Sequence, residues 1–195
     1  MKRVPPAMTL QEAIAGRRSV REYTGQPLDD ASLAKLLEAA VRAPTAMHAE
    51  PWRFVVVQDA ARLARLSGRA KSLLADQVRR LHDHPGRHAP EAFSRPDFNI
   101  FYDAGTLIVI CAEAANPFGA ADCWLAAGNL MLMAHALGLG SCVIGSAVAA
   151  LNEPATKAEL GMPAELVAVA PIIVGTPAHA GAPTPRRAPQ VLARR

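Results

Sequence analysis

Three arginines and a serine occur within five residues near the start of the chain: Arg17, Arg18, Ser19 and Arg21. A guanidinium group is always protonated, and its planar fork can bind a phosphate through two parallel hydrogen bonds, which a lysine cannot do. A short helix is predicted just before the cluster, so Arg17 and Arg18 would also stabilise the negative end of that helix dipole. The cluster therefore predicts either an anion-binding site or a basic turn.

Two distant segments and one late arginine favour the anion-binding interpretation. Residues 43–54 (APTAMHAEPWRF) form a loop that leads into a strand, residues 137–145 (LGLGSCVIG) are glycine-rich, and Arg187 precedes Pro189. In this order, these features and the arginine cluster resemble the nitroreductase family of FMN-dependent oxidoreductases. The resemblance extends from about Leu10 to Pro189, which is nearly the whole chain.

The sequence departs from the family pattern at two positions of the loop. His48 stands where the family usually has Asn, and Glu50 stands where it usually has Gln. Both residues are polar, but they change the pattern of hydrogen-bond donors and acceptors. A flavin contact and a structural role both remain open for His48.

The resemblance implies an α+β fold in which a central mixed sheet is flanked by helices, in a single FMN-binding domain over residues 1–195. It also implies a homodimer with two shared FMN sites, in which the C-terminal tail, residues 177–195, is exchanged and embraces the partner subunit. The tail is rich in Pro, Gly, Ala and Arg and has little apolar surface to bury. Residues 82–98 contain three prolines and are predicted to form a mobile cover, because long proline-rich loops are usually functional or poorly ordered.

The resemblance assigns roles toward FMN to the arginine cluster and to the tail. Arg17 and Arg187 would bind the phosphate, with Arg18 in the same cluster, and Ser19 would add a hydrogen bond. Arg21 would face N1 and O2 of the flavin ring, where its charge stabilises the ring when it becomes anionic.

Two further segments would contact the flavin ring. By the resemblance, the backbone of Pro44, Thr45 and Ala46 lies along one face or edge, and His48 reaches the ribityl chain or the pyrimidine side. A second group lies against the other side and directs a backbone N–H toward N5. That group consists of Cys142, Val143, Ile144 and Gly145.

The function that the resemblance implies is transfer of a hydride from NADH or NADPH through flavin N5 to a small-molecule acceptor, such as a nitroaromatic or a quinone, by a ping-pong mechanism. No side chain need act as a nucleophile, because the cofactor carries the chemistry. Two alternatives stay open. One is a specialised branch of the family, such as reductive dehalogenation or flavin cleavage, and the other is a flavin carrier or sensor without turnover.

Helix and strand signals alternate along the chain without an internal repeat, which favours α/β or α+β layers over a sandwich. Thr9 and Glu12 form a capping box for a helix that ends near Gly16, and Asp29 or Asp30 caps a second helix with one apolar stripe. The other predicted elements are strands over residues 52–57, 106–111, 141–144 and 166–174, two short helices after the first strand, a long helix over 122–137 and a helix that begins at 152–154.

Composition excludes several other classes of protein. A net charge of +4 with scattered basic residues and only 5% aromatic residues does not suggest nucleic-acid binding. The longest apolar stretch, residues 106–112, is too short to span a membrane. Residues 1–6 carry positive charge without a following apolar run, so no signal peptide is predicted and a cytoplasmic location is expected.

Neither the cysteines nor the histidines predict a metal site. Cys111, Cys123 and Cys142 lie in apolar surroundings without a Cys-x-x-Cys spacing, and they are predicted to be buried, reduced thiols. A histidine-rich stretch over residues 82–88 contains Pro85 and Gly86, which break any helix that could align the rings. A solvated loop is therefore favoured over a metal site there.

Overall fold

The computed structural model describes residues 8–80, 95, 97–179, 181 and 185–195. Helices in this part of the chain are α1 (Leu10–Gly16), α2 (Asp30–Ala40), α3 (Ala60–Arg80), α4 (Gly119–Ala136), α5 (Val148–Leu151) and α6 (Pro154–Glu159). The strands are β1 (Arg53–Val57), β2 (Thr106–Glu113), β3 (Gly140–Val143) and β4 (Leu166–Gly175). Two short 3-10 turns cover Ala46–His48 and Gly145–Ala147.

The four strands form one sheet in the order β1-β2-β4-β3, and each of the three pairings is antiparallel. Ile108 of β2 faces Ile172 of β4 in the register, and Cys142 of β3 faces Ile173. A parallel element is an isolated bridge between Ser19 and Ser141 at the β3 edge. The predicted α+β class is therefore confirmed.

Alternate residues of the central strands supply two separate cores. Leu107 and Val109 of β2 pack with α3 and α5 on one face of the sheet. Ile108 and Ile110 pack with α2 and α4 on the other face. Helices thus cover both faces of the sheet, which explains why β2 is apolar along its length although its pairings are antiparallel.

The first two helices begin where the sequence predicts. Thr9 and Glu12 form a complete capping box at the start of α1, and the Asp29 side chain accepts a 2.6 Å hydrogen bond from the Ser32 backbone N–H at the start of α2. Leu36 and Ala40 are the fully buried residues of the α2 stripe. Good caps stabilise a helix by about 1 kcal/mol each.

One helix prediction is wrong, and another is confirmed except for its first residues. The segment after β1 is the single 21-residue helix α3, not two short helices. No proline interrupts it, and Gly68 is exposed in mid-helix with open space beside it, so this glycine does not break the helix. The helix predicted over 122–137 begins earlier, at Gly119, so Asp122 is not at its start but buried in its first turns.

Other sequence-based predictions have mixed outcomes. Cys111, Cys123 and Cys142 are free and buried, as predicted. Most of the predicted mobile cover, residues 82–98, lies outside the described residues, as does the histidine-rich stretch 82–88. No helix in the described ranges is long and apolar enough to cross a membrane.

We expect Gly105→Ala to lower the free energy of unfolding by about 1–3 kcal/mol, because a methyl group at this position would overlap the backbone of Gln26 and Pro27. Gly68→Ala is the matched control, since its new methyl group meets no atom within 4 Å. It should raise the free energy of unfolding by about 0.5–1 kcal/mol through helix propensity. Urea denaturation of both variants measures the difference, and a Gly105→Ala protein as stable as wild type would contradict the close approach.

Candidate functional site

The arginine segment, residues 17–24, is held against the sheet by backbone hydrogen bonds. Val20 N–H donates to the Ser141 carbonyl at 3.0 Å, and Thr24 N–H donates to the Thr176 carbonyl at 3.1 Å. Glu22 accepts a 2.9 Å hydrogen bond from Ala178 N–H. The segment therefore crosses from β3 to the residues that follow β4, and its side chains have a fixed position relative to both.

A glycine makes the first of these approaches possible. Any side chain at Gly140 would lie 2.8 Å from the Val20 side chain. Because Gly140 has no Cβ, Val20 can reach the β3 edge and make its backbone hydrogen bond. The glycine-rich run that contributed to the family resemblance thus allows the arginine segment to pack closely against β3.

Beside the segment lies a cavity of about 270 Å³, here called the arginine cavity. Arg17 and Arg18 line it from the end of α1, His135 lines it from the last turn of α4, and His179 lines it from beyond β4. The other lining residues are Met8, Gly16, Val20, Gly138, Leu139, Gly140, Ser141, Pro177 and Gly181. This wall has cationic side chains and glycine backbone, and none of its lining residues in the described part of the chain is a carboxylate, so the cavity suits an anion.

Arg18 and Arg17 are placed differently at the edge of this cavity. The Arg18 Nη1 atom donates hydrogen bonds to the carbonyls of Ala15, at 2.6 Å, and Arg17, at 3.0 Å. Arg18 therefore offsets the negative end of the α1 dipole, which would otherwise disfavour an anion here. Arg17 caps the same helix with its backbone N–H, which donates to Ala13, and its guanidinium lines the cavity.

Arg21 lies on the other side of the segment, next to a buried thiol and an aromatic ring. Its guanidinium carbon is 6.0 Å from the centroid of the Tyr102 ring, within the range of a cation–π contact. Burial raises the pKa of the Cys142 thiol, while the nearby Arg21 and Ser19 side chains oppose that increase. Ser19 and Arg21 therefore both lie close to Cys142.

The residues after β3 continue the same edge. Ile144 N–H donates to the Pro171 carbonyl at 2.9 Å, so its backbone belongs to the sheet. Gly145 is exposed, and no atom lies within 4 Å of the Cβ it would carry. The segment Cys142–Gly145 thus passes from a buried strand to an open backbone beside the arginine segment.

The loop over residues 44–50, here called the Pro44 loop, is anchored to the opposite end of α4. Ala46 N–H donates to Asp122 Oδ1 at 3.2 Å, and Glu50 N–H donates to Thr45 Oγ1 at 3.4 Å. Asp122 is only 3% exposed, and its second oxygen, Oδ2, has no hydrogen-bond partner among the described residues. A buried carboxylate oxygen without a partner is costly and is a feature of functional sites.

The backbone of the Pro44 loop is strained. Met47, His48 and Glu50 have φ angles of 55°, 54° and 44°, a region that residues with a side chain rarely adopt. Met47 is 90% exposed, and His48 also lies at the surface. Such strain persists only where the surroundings impose it, and it is concentrated at binding sites.

The two groups of predicted site residues lie at opposite ends of α4. The Pro44 loop is bonded to Asp122, whereas Arg17 lines a cavity with His135, thirteen residues further along the same helix. At about 1.5 Å per residue, this separation is about 20 Å. The fold therefore brings Arg17, Ser19, Arg21 and Cys142 together but does not place the Pro44 loop with them in one chain.

The other predicted residue, Arg187, lies in the exposed segment 185–195 and is not among the residues that line the arginine cavity. Two residues close to the predicted site were missed by sequence reasoning. Asp122 was interpreted as the start of a helix, and His135 was hidden in a mostly apolar helix. Within the described ranges, no group of three or more His, Cys, Asp or Glu side chains could hold a metal ion.

Known proteins similar to this chain share one family. A sequence model of the nitroreductase family matches residues 14–176. The chain is 29% identical over 206 residues to an NADH dehydrogenase of Thermus thermophilus, with 95% of each chain covered. It is 28% identical over 131 residues to an iodotyrosine deiodinase of Thermotoga neapolitana, covering 64% of this chain and 67% of that one.

A solved structure supports the same relationship. The fold matches the crystal structure of a nitroreductase with bound FMN from Bacteroides fragilis, with a TM-score of 0.80 and 26% sequence identity. The match covers 96% of this chain and 98% of that chain.

We expect Asp122→Ala to release the Pro44 loop, because it removes the acceptor for the Ala46 N–H. Amide hydrogen exchange at residues 45–50 should become faster in this variant, and exchange in β2 should not change. Asp122→Asn is the matched control, since its amide oxygen keeps an acceptor of the same size. Equal exchange at Ala46 in wild type and Asp122→Ala would show that Asp122 does not anchor the loop.

Proposed function

The chain belongs to the nitroreductase family, and we propose that it is an FMN-dependent oxidoreductase that moves a hydride from NADH or NADPH to a small-molecule acceptor. Nitroaromatic compounds and quinones are the proposed acceptors, with the nicotinamide leaving before the acceptor binds. The observation that carries the proposal is the arginine cavity, which a member of this family needs for the FMN phosphate.

The residues around the cavity fit a phosphate ester. Arg17 offers a planar, permanently charged donor, and the backbone at Gly138 has open space where a side chain would stand. Arg18 offsets the α1 dipole, so the positive charge of Arg17 is available to the ligand. We assign Arg17 as the principal phosphate ligand and Arg187 as a second one, supplied by the exposed tail.

FMN, when bound, supplies the two-electron chemistry of accepting and donating a hydride. The protein's own residues have other tasks. Arg21, which lies over the Tyr102 ring, would supply a positive charge to the side of the flavin ring that gains negative charge on reduction. Ser19 would add a hydrogen bond, and the segment from Cys142 to Gly145 would contact the ring, with open space at Gly145, where no side chain stands.

The Pro44 loop is proposed to serve the FMN site of a partner subunit. Ala46 is bonded to Asp122 and the arginine cavity is lined by His135, two residues about 20 Å apart along α4, so we assign Pro44, Thr45, Ala46 and His48 to a different flavin from the one that Arg17 holds. A two-fold dimer would place the loop of one subunit next to the arginine segment of the other. In such a dimer, the strained, exposed loop would contact the flavin of the partner subunit.

The surface of α4 also supports a dimer. Trp124 and Leu125 are 45% and 48% exposed on a helix that is apolar on nearly every side. A helix of this composition is normally buried all round. A second copy of the chain would cover this face, and the tail after Thr176, with Val191 and Leu192 exposed, is proposed to embrace that copy.

A specialised branch of the family is the second candidate function. Its support is the similarity to the iodotyrosine deiodinase of Thermotoga neapolitana, a protein named for removing iodine from iodotyrosine. The same flavin site would serve reductive dehalogenation, so the two candidates differ only in the acceptor.

The direct test of the proposed function is turnover. Protein loaded with FMN should oxidise NADH or NADPH steadily when a quinone or nitroaromatic compound is added, as measured by the loss of nicotinamide absorbance. Consumption of iodotyrosine, and not of these acceptors, would favour the specialised branch. Bound FMN without nicotinamide oxidation would indicate a carrier or sensor, and protein that binds no FMN would exclude the proposal.

A shared site predicts that Leu125→Lys separates the subunits and weakens FMN binding, although Leu125 is far from the arginine cavity. Burying a charge in an apolar interface is costly, whereas the single chain leaves this side chain half exposed. Ser72→Lys, which adds the same residue at an exposed position of α3, is the control. Light scattering and flavin absorbance report mass and loading, and a Leu125→Lys dimer with full FMN content would rule out this interface.

A further inference from the structure

We propose that His135 is an additional phosphate-binding residue of the arginine cavity and that its protonation makes FMN binding tighter as the pH falls. The inference rests on the proposed function, because it assigns a ligand contact and a form of regulation to the same site. It does not depend on which acceptor the enzyme uses.

The position of His135 is built into the fold. The imidazole packs directly over Gly16 at the end of α1, and any side chain at Gly16 would collide with His135 Nε2. Gly16 thus leaves room for the imidazole between α1 and α4. His135 then lines the same cavity as Arg17 and the Gly138–Ser141 backbone, so a phosphate held by Arg17 would lie beside the imidazole.

The charged groups around His135 leave a place for an anion. Arg17 and Arg18 face it from α1, and His179 lines the cavity from beyond β4. Just after α2, Arg42 lines a separate cavity that also contains Ala136, and it is paired with Glu38 at 3.5 Å. No carboxylate lines the arginine cavity among the described residues, so a bound phosphate would supply the negative charge that this group of cations lacks.

The direction of the pH effect follows from the electrostatics. Burial, and then the positive charges of Arg18 and Arg17, lower the pKa of His135, so protonation of the imidazole is disfavoured in the free protein. A phosphate in the cavity opposes this effect and raises the pKa of His135. Binding then takes up a proton, and by linkage the affinity for FMN rises as the pH falls through the range of the two pKa values.

The experiment compares FMN and riboflavin binding at about pH 6.5 and about pH 8.5, where the histidine charge changes. In wild type, we expect FMN affinity to rise about three- to tenfold at the lower pH, and riboflavin affinity to stay nearly constant. One linked proton can change the affinity by at most about tenfold per pH unit. His135→Gln should lose most of this pH dependence while it still binds riboflavin.

Two variants serve as references. Arg17→Ala should weaken FMN binding at both pH values, because the charge that it removes does not titrate in this range. His179→Gln should keep the wild-type pH dependence, and loss of the dependence in this variant would transfer the role to His179. The second ionisation of the phosphate itself, with a pKa of about 6, affects all variants alike and cancels in the comparison.

Calorimetry in buffers of different ionisation enthalpy provides a second readout, which should show proton uptake on FMN binding to wild type and less uptake with His135→Gln. If that variant does not fold, NMR titration of His135 in wild type with and without FMN replaces it, and the pKa should rise on binding. Equal proton uptake in both proteins, or an unchanged His135 titration, would overturn the inference while FMN binding itself stood. Wild-type protein that binds no FMN would overturn the proposed function as well.

Discussion

The length of α4 determines where ligand-binding groups can be placed in this chain. Its first turns hold the Pro44 loop through Asp122, and its last turn holds the arginine cavity through His135. A rigid helix keeps these two groups about 20 Å apart. The same helix exposes Trp124 and Leu125 along its side, so the element that separates the two groups within a chain also carries the surface proposed for the dimer.

Two glycines, each at a point where two segments pack closely, allow the arginine cluster to occupy its observed position. Gly140 allows Val20 to reach β3, and Gly16 allows the His135 imidazole to pack against the end of α1. A glycine at each point costs conformational entropy, but the backbone hydrogen bonds and the buried contacts that it permits fix the orientation of the arginines. Precise orientation matters because a guanidinium selects a phosphate by geometry as well as by charge.

Helices whose capping residues lie within their first turn were predicted correctly from the sequence. Residue roles that depend on long-range contacts were missed. The capping box at Thr9 and the Asp29 cap act within three residues, so α1 and α2 were predicted correctly. Asp122 has the same residue type as Asp29, yet its carboxylate is buried and bonded to Ala46, seventy-six positions earlier. No local pattern distinguishes a carboxylate that caps a helix from one that anchors a distant loop.

Arg17 and Arg18 are adjacent, and the sequence alone did not show that they are placed differently. Arg18 donates to the carbonyls at the end of α1, whereas Arg17 lines the cavity that is proposed to bind the phosphate. The first arrangement favours the second, since the negative end of a helix repels an anion unless a cation offsets it. At the proposed phosphate site, the two adjacent arginines therefore divide the work: Arg18 offsets the end of α1, and the charge of Arg17 is left for the anion.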